Sequence, residues 1–395
     1  MRYIIVTGVA ASVTFVLAFI ILKLSHRFRL YPKIRSRDVH TRPTPRLGGV
    51  AMFIGVIAAV AAASQIEKFN PIFEDPAKVW GLLAAATLIV VIGVADDIWD
   101  LDWWTKLAGQ IIAGGILAYS GIQILTIPLP GYGVVQLPLT FSLGITVLAV
   151  VLVMNAINFI DGLDGLVAGV ALIANGVFFV YSYTFAYQSR EVDYLGLASL
   201  ITAVLIGACI GFLPLNFHPA KLFMGDAGAL LVGLLMAASA LSITGQVDPA
   251  SWTYGGQLLP AFIPILLPAA ILLLPLLDFA LAVVRRLLAG KSPFAADRKH
   301  LHHRLMDMGH THLQSVLVFY SWTTVVAVGC LSFMFVPWFW AATFIAVGFV
   351  VCTFVTLGPL RRRTPLLGDA TPVADSPEIS APEAITASET KGHPL

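Results

Sequence analysis

The sequence predicts an all-α polytopic integral membrane protein, and three observations carry that expectation. Hydrophobic residues make up 58% of the 395 and charged residues only 12%, with a mean hydropathy of +0.86. Soluble domains carry about 25% charged residues. The apolar residues also gather into long runs, starting at 3–24, and about 20 of them in a helix cross a hydrocarbon layer roughly 30 Å thick. Finally, outside the C-terminal tail only Asp278 places a charge well within a run. These facts exclude a soluble core as the organising principle. A disulfide framework is excluded too, because Cys209, Cys330 and Cys352 are odd in number, lie inside apolar runs and form no C-x-x-C pair.

Taken in order, the runs lie near 3–24, 48–66, 79–95, 106–124, 138–157, 165–187, 195–213, 227–244, 259–283, 315–335 and 338–358, about eleven transmembrane helices. Helices follow because a lone strand leaves backbone polar groups unsatisfied in lipid. The first run, after Arg2, shows no A-x-A-like cleavage site and reads as a retained span. Between the fourth and fifth spans, Leu129-Pro130-Gly131-Tyr132-Gly133 flanked by β-branched residues predicts a short hairpin. Beyond Arg363 the chain repeats Pro, Ala, Ser, Thr and Glu with few large apolar side chains, a composition that buries too little surface to fold. The expected organisation is therefore a transmembrane domain over 1–360 and a disordered tail over 361–395.

Orientation follows from Lys and Arg, which accumulate in cytoplasmic loops. One set of connections holds 20 of the 24, leaving Arg2, Lys68, Lys78 and Arg190 for the other side. The N-terminus is accordingly expected outside and the C-terminus in the cytoplasm.

The polar residues then fall into clusters on that cytoplasmic face. Asp96 and Asp97 close the third span, followed by Asp100, Asp102 and Lys106. Adjacent carboxylates resist joint ionisation, so they suit a cation or phosphate-handling task, or else begin a solvated loop. N-A-I-N-F-I-D-G-L-D-G places Asn155, Asn158, Asp161 and Asp164 at intervals of three, four oxygen-bearing side chains along one stripe. That set suits a hard cation or a polyhydroxylated ligand. In N-F-H-P-A-K-L-F-M-G-D-A-G stand Asn216, His218, Lys221 and Asp226. There Asp226 caps the next helix or serves a phosphate site at its positive end. D-R-K-H-L-H-H-R-L supplies His300, His302, His303 and Arg304, whose spacing fits sugar and phosphate oxygens better than a structural zinc site. His310 and His312 read as the start of the tenth span. A fifth loop carries His40, Arg42, Thr44, Arg46, Gly48 and Gly49, whose arginines serve anionic lipid or substrate.

In this order, H-T-R-P-T-P-R-L-G-G, D-D-I-W-D-L-D-W-W-T-K, N-A-I-N-F-I-D-G-L-D-G, F-M-G-D and H-L-H-H-R-L resemble the polyprenyl-phosphate N-acetylhexosamine-1-phosphate transferases, over roughly residues 30–315. Most similar are the bacterial undecaprenyl-phosphate GlcNAc-1-phosphate transferases of the WecA/TagO type, relatives of the MraY translocase. One departure is visible: the family often reads G-D-S-G-S where this chain has Gly225-Asp226-Ala227-Gly228-Ala229.

The resemblance implies a catalytic domain over 1–360 that moves sugar-1-phosphate from a UDP-sugar to a lipid phosphate, releasing UMP, in the inner (cytoplasmic) membrane with the site facing the cytoplasm. It implies Mg²⁺, with Mn²⁺ as a substitute, held by Asp226 and Asn158. Asp96 and Asp97 would be catalytic, acting on the acceptor phosphate, whose charge Lys106 offsets. Thr44, Asn155, Asp161, Asp164, Lys221, His300, His302, His303 and Arg304 would contact substrate. Expected partners are UDP-N-acetylhexosamine, a polyprenyl phosphate and the membrane, with a second copy of the chain admitted and no nucleic acid. The rival class is a secondary transporter, which instead places its binding groups near the bilayer midplane on broken helices.

Overall fold

The computed structural model describes residues 1–28, 44–129, 133–189, 193–244, 272–288 and 301–362, with residues 267, 269, 270 and 290. Its helices are α1 (Arg2–Phe28), α2 (Gly48–Ala63), α3 (Asn70–Glu74), α4 (Pro76–Trp99), α5 (Trp103–Tyr119), α6 (Leu139–Ile160) and α7 (Leu166–Ser189). They continue with α8 (Asp193–Asn216), α9 (Gly225–Thr244), α10 (Leu273–Leu288), α11 (Leu301–Asp307), α12 (His312–Ser332) and α13 (Trp338–Arg362). The expected hairpin is present: β1 (Thr126–Leu129) pairs antiparallel with β2 (Gly133–Gln136), Thr126 opposite Gln136. Its tip, His300 and the chain beyond Arg362, including the expected disordered tail, lie outside the described residues.

Among the described residues eight helices are long and apolar enough to cross a membrane: α1, α4, α6, α7, α8, α9, α12 and α13. A ninth arises if α2 is joined to the short helical segment after it, across a bend of 102°. The expected run at 48–66 therefore does not continue straight; α2 stops at Ala63 before Ser64 and Gln65. α5 has 17 residues and α10 has 16, below the roughly 20 needed to cross upright. Most of the ninth expected span before Leu272 is outside the described residues. α10 runs past the expected boundary at 283 to Leu288, and Arg286 in that extension is buried, its guanidinium 5.2 Å from the Phe159 ring.

Local chemistry fixes several helix starts. Asp102 caps α5, its carboxylate accepting the Thr105 amide at 2.7 Å; hydrogen bonding from the Thr105 side chain, then from its amide, holds this exposed carboxyl below the usual range. Thr311 and Gln314 form a capping box on α12. The Oδ1 of Asp278, from α10, accepts the Leu301 amide at 2.8 Å. This buried carboxylate thus tethers the start of α11 to α10.

The core centres on α9, which packs against α2, α4, α6, α7 and α8. Of its membrane window 89% is buried, against 11% for the peripheral α13. α1 lies across α8 and α2, and α7 links α8 to α12. Cys209 and Cys352 are buried free thiols and Cys330 is half-buried, as small packing side chains should be. The C-terminal end of α4, the N-terminal end of α5, the C-terminal end of α6 and the N-terminal end of α9 share one end of the bundle.

Without a hydrophobic drive between helices in lipid, close backbone approach carries the packing. Gly233 on α9 faces the backbone of Met154 on α6, where a Cβ would come 2.7 Å from Met154 Cα, whereas Gly8 on α1 faces open space. Gly233→Val is expected to lower the melting temperature of the detergent-purified protein by several degrees and Gly8→Val to leave it unchanged, measured by thermal unfolding.

Candidate active site

At the shared end of the bundle the carboxylates of α4 and α9 meet. Asp97 turns both oxygens toward the start of α9: the Asp226 amide donates to its Oδ1 at 3.1 Å and the Ala227 amide to its Oδ2 at 3.4 Å. These are among the first amides of the helix, which have no partner within it. Asp226 is the second residue of α9, so it is not the cap that its sequence position suggested; the cap comes from α4. Gly225 makes the approach feasible, with φ +68°, and a Cβ there would collide with Asp97 and with the Arg46 carbonyl.

Held this way, the Asp226 carboxylate faces two donors. Asn158 Nδ2 donates to its Oδ1 at 3.2 Å, and Lys106 Nζ donates to its Oδ2 at 3.4 Å and to Asp96 Oδ2 at 3.0 Å. Asp96 is buried, and its other oxygen has no hydrogen-bond partner among the described residues. A buried, unsatisfied carboxylate oxygen is costly unless something positive meets it. Asp96, Asp226 and Asn158 together form an oxygen-donor set of the kind hard divalent cations prefer. The fit to Mg²⁺ or Mn²⁺ therefore rests on donor chemistry and on that orphaned atom.

The segment after α6 forms the adjoining wall. Asp161 is half-buried there, and burial pushes its carboxyl up to about 7, with the Asp226 carboxylate acting in the same direction and the Arg46 guanidinium against it. Asp164 is 4% exposed and turned inward: its Oδ2 accepts the Ala220 amide at 3.0 Å and pairs with His218 Nδ1 at 2.8 Å. Asn155 is tied to the protein as well, its amide donating to Gln110 Oε1 at 2.6 Å and to the Val151 carbonyl at 2.8 Å. Sequence reasoning missed Gln110, a buried polar residue inside an apolar run. Its position one helical turn after Lys106 is the only signal the sequence offers.

Residues 44–49 reach the site through the backbone. Pro45 accepts the Phe223 amide, and Phe223 and Met224 accept those of Gly48 and Gly49, each at 2.9 Å. Thr44 and Arg46 are thus carried to the beginning of α9. Lys221, in contrast, is exposed, and among the described residues no contact joins it to the carboxylates. His302 and His303 lie on α11, and Arg304 beside them is exposed.

His312 does more than start a span: its ring stacks on His218 at 4.5 Å and 20°. Ligand atoms of Asp164, His218 and His312 come within 4.8 Å of one another. Nearly parallel imidazoles direct their in-plane nitrogens side by side, which suits packing better than a shared tetrahedral ion. His310 hydrogen-bonds the Thr356 carbonyl of α13 at 2.9 Å.

Residues 79–244, which supply most of these groups, match the family model described as Glycosyl transferase family 4. The chain is 40% identical to the decaprenyl-phosphate N-acetylglucosaminephosphotransferase of Mycolicibacterium smegmatis over 359 residues, 90% of this chain and 88% of that protein. It belongs to the polyprenyl-phosphate N-acetylhexosamine-1-phosphate transferase family. Among other members, it is 29% identical to a phospho-N-acetylmuramoyl-pentapeptide-transferase of Desulforudis audaxviator, covering 82% of this chain and 96% of that one. It is 26% identical to the undecaprenyl-phosphate alpha-N-acetylglucosaminyl 1-phosphate transferase of Escherichia coli, over 80% of this chain and 79% of that one. In this family member Ala227 and Ala229 stand where serines are frequent, and both are fully buried in helix packing, so no hydroxyl reaches the site from them.

The raised Asp161 carboxyl makes stability pH-dependent. Its folded value near 7 lies above the ordinary unfolded one of about 3.9, so the folded state binds the extra proton between them and loses stability as pH rises through that window. Asp161→Asn removes the charge, and is expected to melt above wild type at pH 8 with the difference closing as pH falls toward about 4, followed by thermal unfolding across pH.

Proposed function

We propose that the chain transfers N-acetylhexosamine-1-phosphate, most specifically GlcNAc-1-phosphate, from a UDP-sugar to a polyprenyl phosphate, yielding polyprenyl-diphosphate-sugar and UMP. This is the first membrane step of a cell-envelope polysaccharide. One observation carries the reading: three carboxylates from α4 and α9 converge with Lys106 and Asn158 at one bundle end, in a chain similar over most of its length to enzymes of that named activity. In the transporter alternative Asp278 would be the carboxylate within a span, and here its Oδ1 is engaged by the Leu301 amide.

In the bond change, an oxygen of the lipid phosphate attacks the sugar-bearing phosphorus of the UDP-sugar, and the bond from that phosphorus to the bridging oxygen breaks to release UMP. A phosphate monoester has its second pKa near about 6, so the acceptor is already mostly dianionic and needs no strong base. Lys106, between Asp96 and Asp226, offsets its charge. Asp96 positions the acceptor or takes a residual proton. Asp97 acts from behind, holding α9 and with it Asp226; a covalent aspartyl-phosphate on Asp97 would take one of the two oxygens away from its helix amide, which favours single displacement. Asp226, with Asn158 and Asp96, would hold Mg²⁺, or Mn²⁺ as a substitute. When bound, the ion supplies neutralisation of diphosphate charge.

Asp161 and Thr44 are assigned to the nucleotide sugar, with Asn155 and Asp164 supporting that wall from within. His300, His302, His303 and Arg304 are assigned to the sugar and diphosphate, where the Arg fork matches oxyanions, and Lys221 to more distant attraction of the anionic substrates. The catalytic domain comprises 1–360. It is assigned about eleven spans, with the N-terminus outside and the C-terminus cytoplasmic, so that the site opens to the cytoplasmic side of the inner membrane where UDP-sugar is found. A homodimer fits the same arrangement.

Purified protein given UDP-GlcNAc, polyprenyl phosphate and Mg²⁺ is expected to release UMP and form a lipid-linked sugar diphosphate. Asp226→Ala should lower kcat at saturating Mg²⁺ on the order of a hundredfold or more, the scale of losing a principal electrostatic group. Near-normal turnover of that variant would remove Asp226 from the chemistry.

A further inference from the structure

The Asp161–Gly165 segment is gripped from outside its own helices. The Gly165 amide donates to Asn216 Oδ1 at 3.1 Å, and the buried Asn216 in turn donates to the Leu222 carbonyl at 3.0 Å. The Gly165 carbonyl accepts the Tyr320 hydroxyl at 2.6 Å, a contact from α12 across 155 residues, as well as the Gly169 amide at 3.0 Å. Gly165 has φ +75°, a conformation that side-chain-bearing residues rarely adopt. Room for Tyr320 exists because position 169 is glycine: a Cβ there would collide with the tyrosine hydroxyl and ring. One residue earlier, Asp164 is fastened to His218 and Ala220. Both backbone polar groups of Gly165 and the adjoining carboxylate of Asp164 are thereby fixed, while Asp161, at the other end of the same short turn, remains half-buried beside the carboxylate cluster.

We propose that Tyr320 is a positioning residue for the donor nucleotide sugar: with Asn216 it locks the backbone at Gly165 and so sets where Asp161 meets that substrate. The proposal rests on the reading that the Asp161–Gly165 segment contacts the UDP-sugar. Tyr320 does not touch Asp96, Lys106 or Asp226, the groups assigned to the acceptor and the reacting phosphate. Its effect is therefore one-sided, on the donor and not on the lipid phosphate or the chemical step.

The test is steady-state kinetics of the purified full chain, varying UDP-GlcNAc and polyprenyl phosphate separately, together with calorimetric titration of UDP as a probe. Tyr320→Phe keeps the ring and removes one hydroxyl. It is expected to raise the KM for UDP-GlcNAc and weaken UDP binding roughly 5- to 20-fold, the range for losing one buried hydrogen bond. The KM for polyprenyl phosphate and kcat should stay within about twofold. Gly169→Ala, which displaces the ring, should give the same one-sided pattern. A Tyr320→Phe enzyme with an unchanged donor KM, or with donor and lipid KM raised alike, overturns the proposal. Asp161→Asn in the same assay separates the layers. If it raises the donor KM while Tyr320→Phe does not, the clamp alone is wrong; if neither moves it, the assignment of this segment to the donor fails as well.

Discussion

The carboxylate of Asp97 accepting the first amides of α9 is the contact on which the site geometry depends. A helix start presents unsatisfied N–H groups and a partial positive charge, and both favour an anion held against it. Here that anion is supplied by another helix, so a single interaction satisfies α9 and fixes its distance and rotation relative to α4. The rotation matters because Asp226 lies in the first turn. Once α9 is set, Asp226 has to face Asn158 on α6 and Lys106 on α5, and four helices share one polar junction at their ends.

The junction concentrates negative charge. Asp96, Asp97, Asp226 and Asp161 come from three helix ends, with Lys106 and Arg46 as the cations recorded against them. Burying several carboxylates around so few cations costs stability unless binding repays it. The raised Asp161 carboxyl and the unpartnered Asp96 oxygen are signs of that cost. In the proposed reading a divalent cation with a diphosphate substrate is the complement: the ion would meet the oxygens, and the lysine the phosphate. On that reading the strain of the junction is the cost of a preorganised site for charged reactants at the edge of an apolar bundle.

Much of this was legible in the sequence. Apolar runs gave the helices, the odd number of cysteines within those runs spoke against a disulfide framework and all three are free thiols, and Pro-Gly with β-branched neighbours marked the hairpin. The order of the polar motifs pointed to the family, because each contains residues whose spacing alone is hard to explain structurally. Helix lengths were less legible: hydropathy averages over Ser64 and Gln65 and does not register the 102° bend after α2. Long-range partners were not legible at all. Nothing local in Asp97 shows that it caps a helix starting at residue 225, and a capping role fell instead on Asp226, which merely stands nearest that helix. Asn155 and Asp164 looked like ligands by residue type, yet Gln110, His218 and Ala220 claim their side chains. Tyr320 and His312 looked like ordinary members of a span because their partners lie more than ninety residues away.

The central claim is that α4, α6 and α9 converge on one divalent-cation site with Asp226 at its centre. Manganese binding to the purified protein, followed by electron paramagnetic resonance in the absence of substrate, tests it most directly. The account predicts a saturable site near one equivalent in the wild type, lost in Asp226→Asn and retained in His302→Ala. Equal binding by wild type and Asp226→Asn would contradict it.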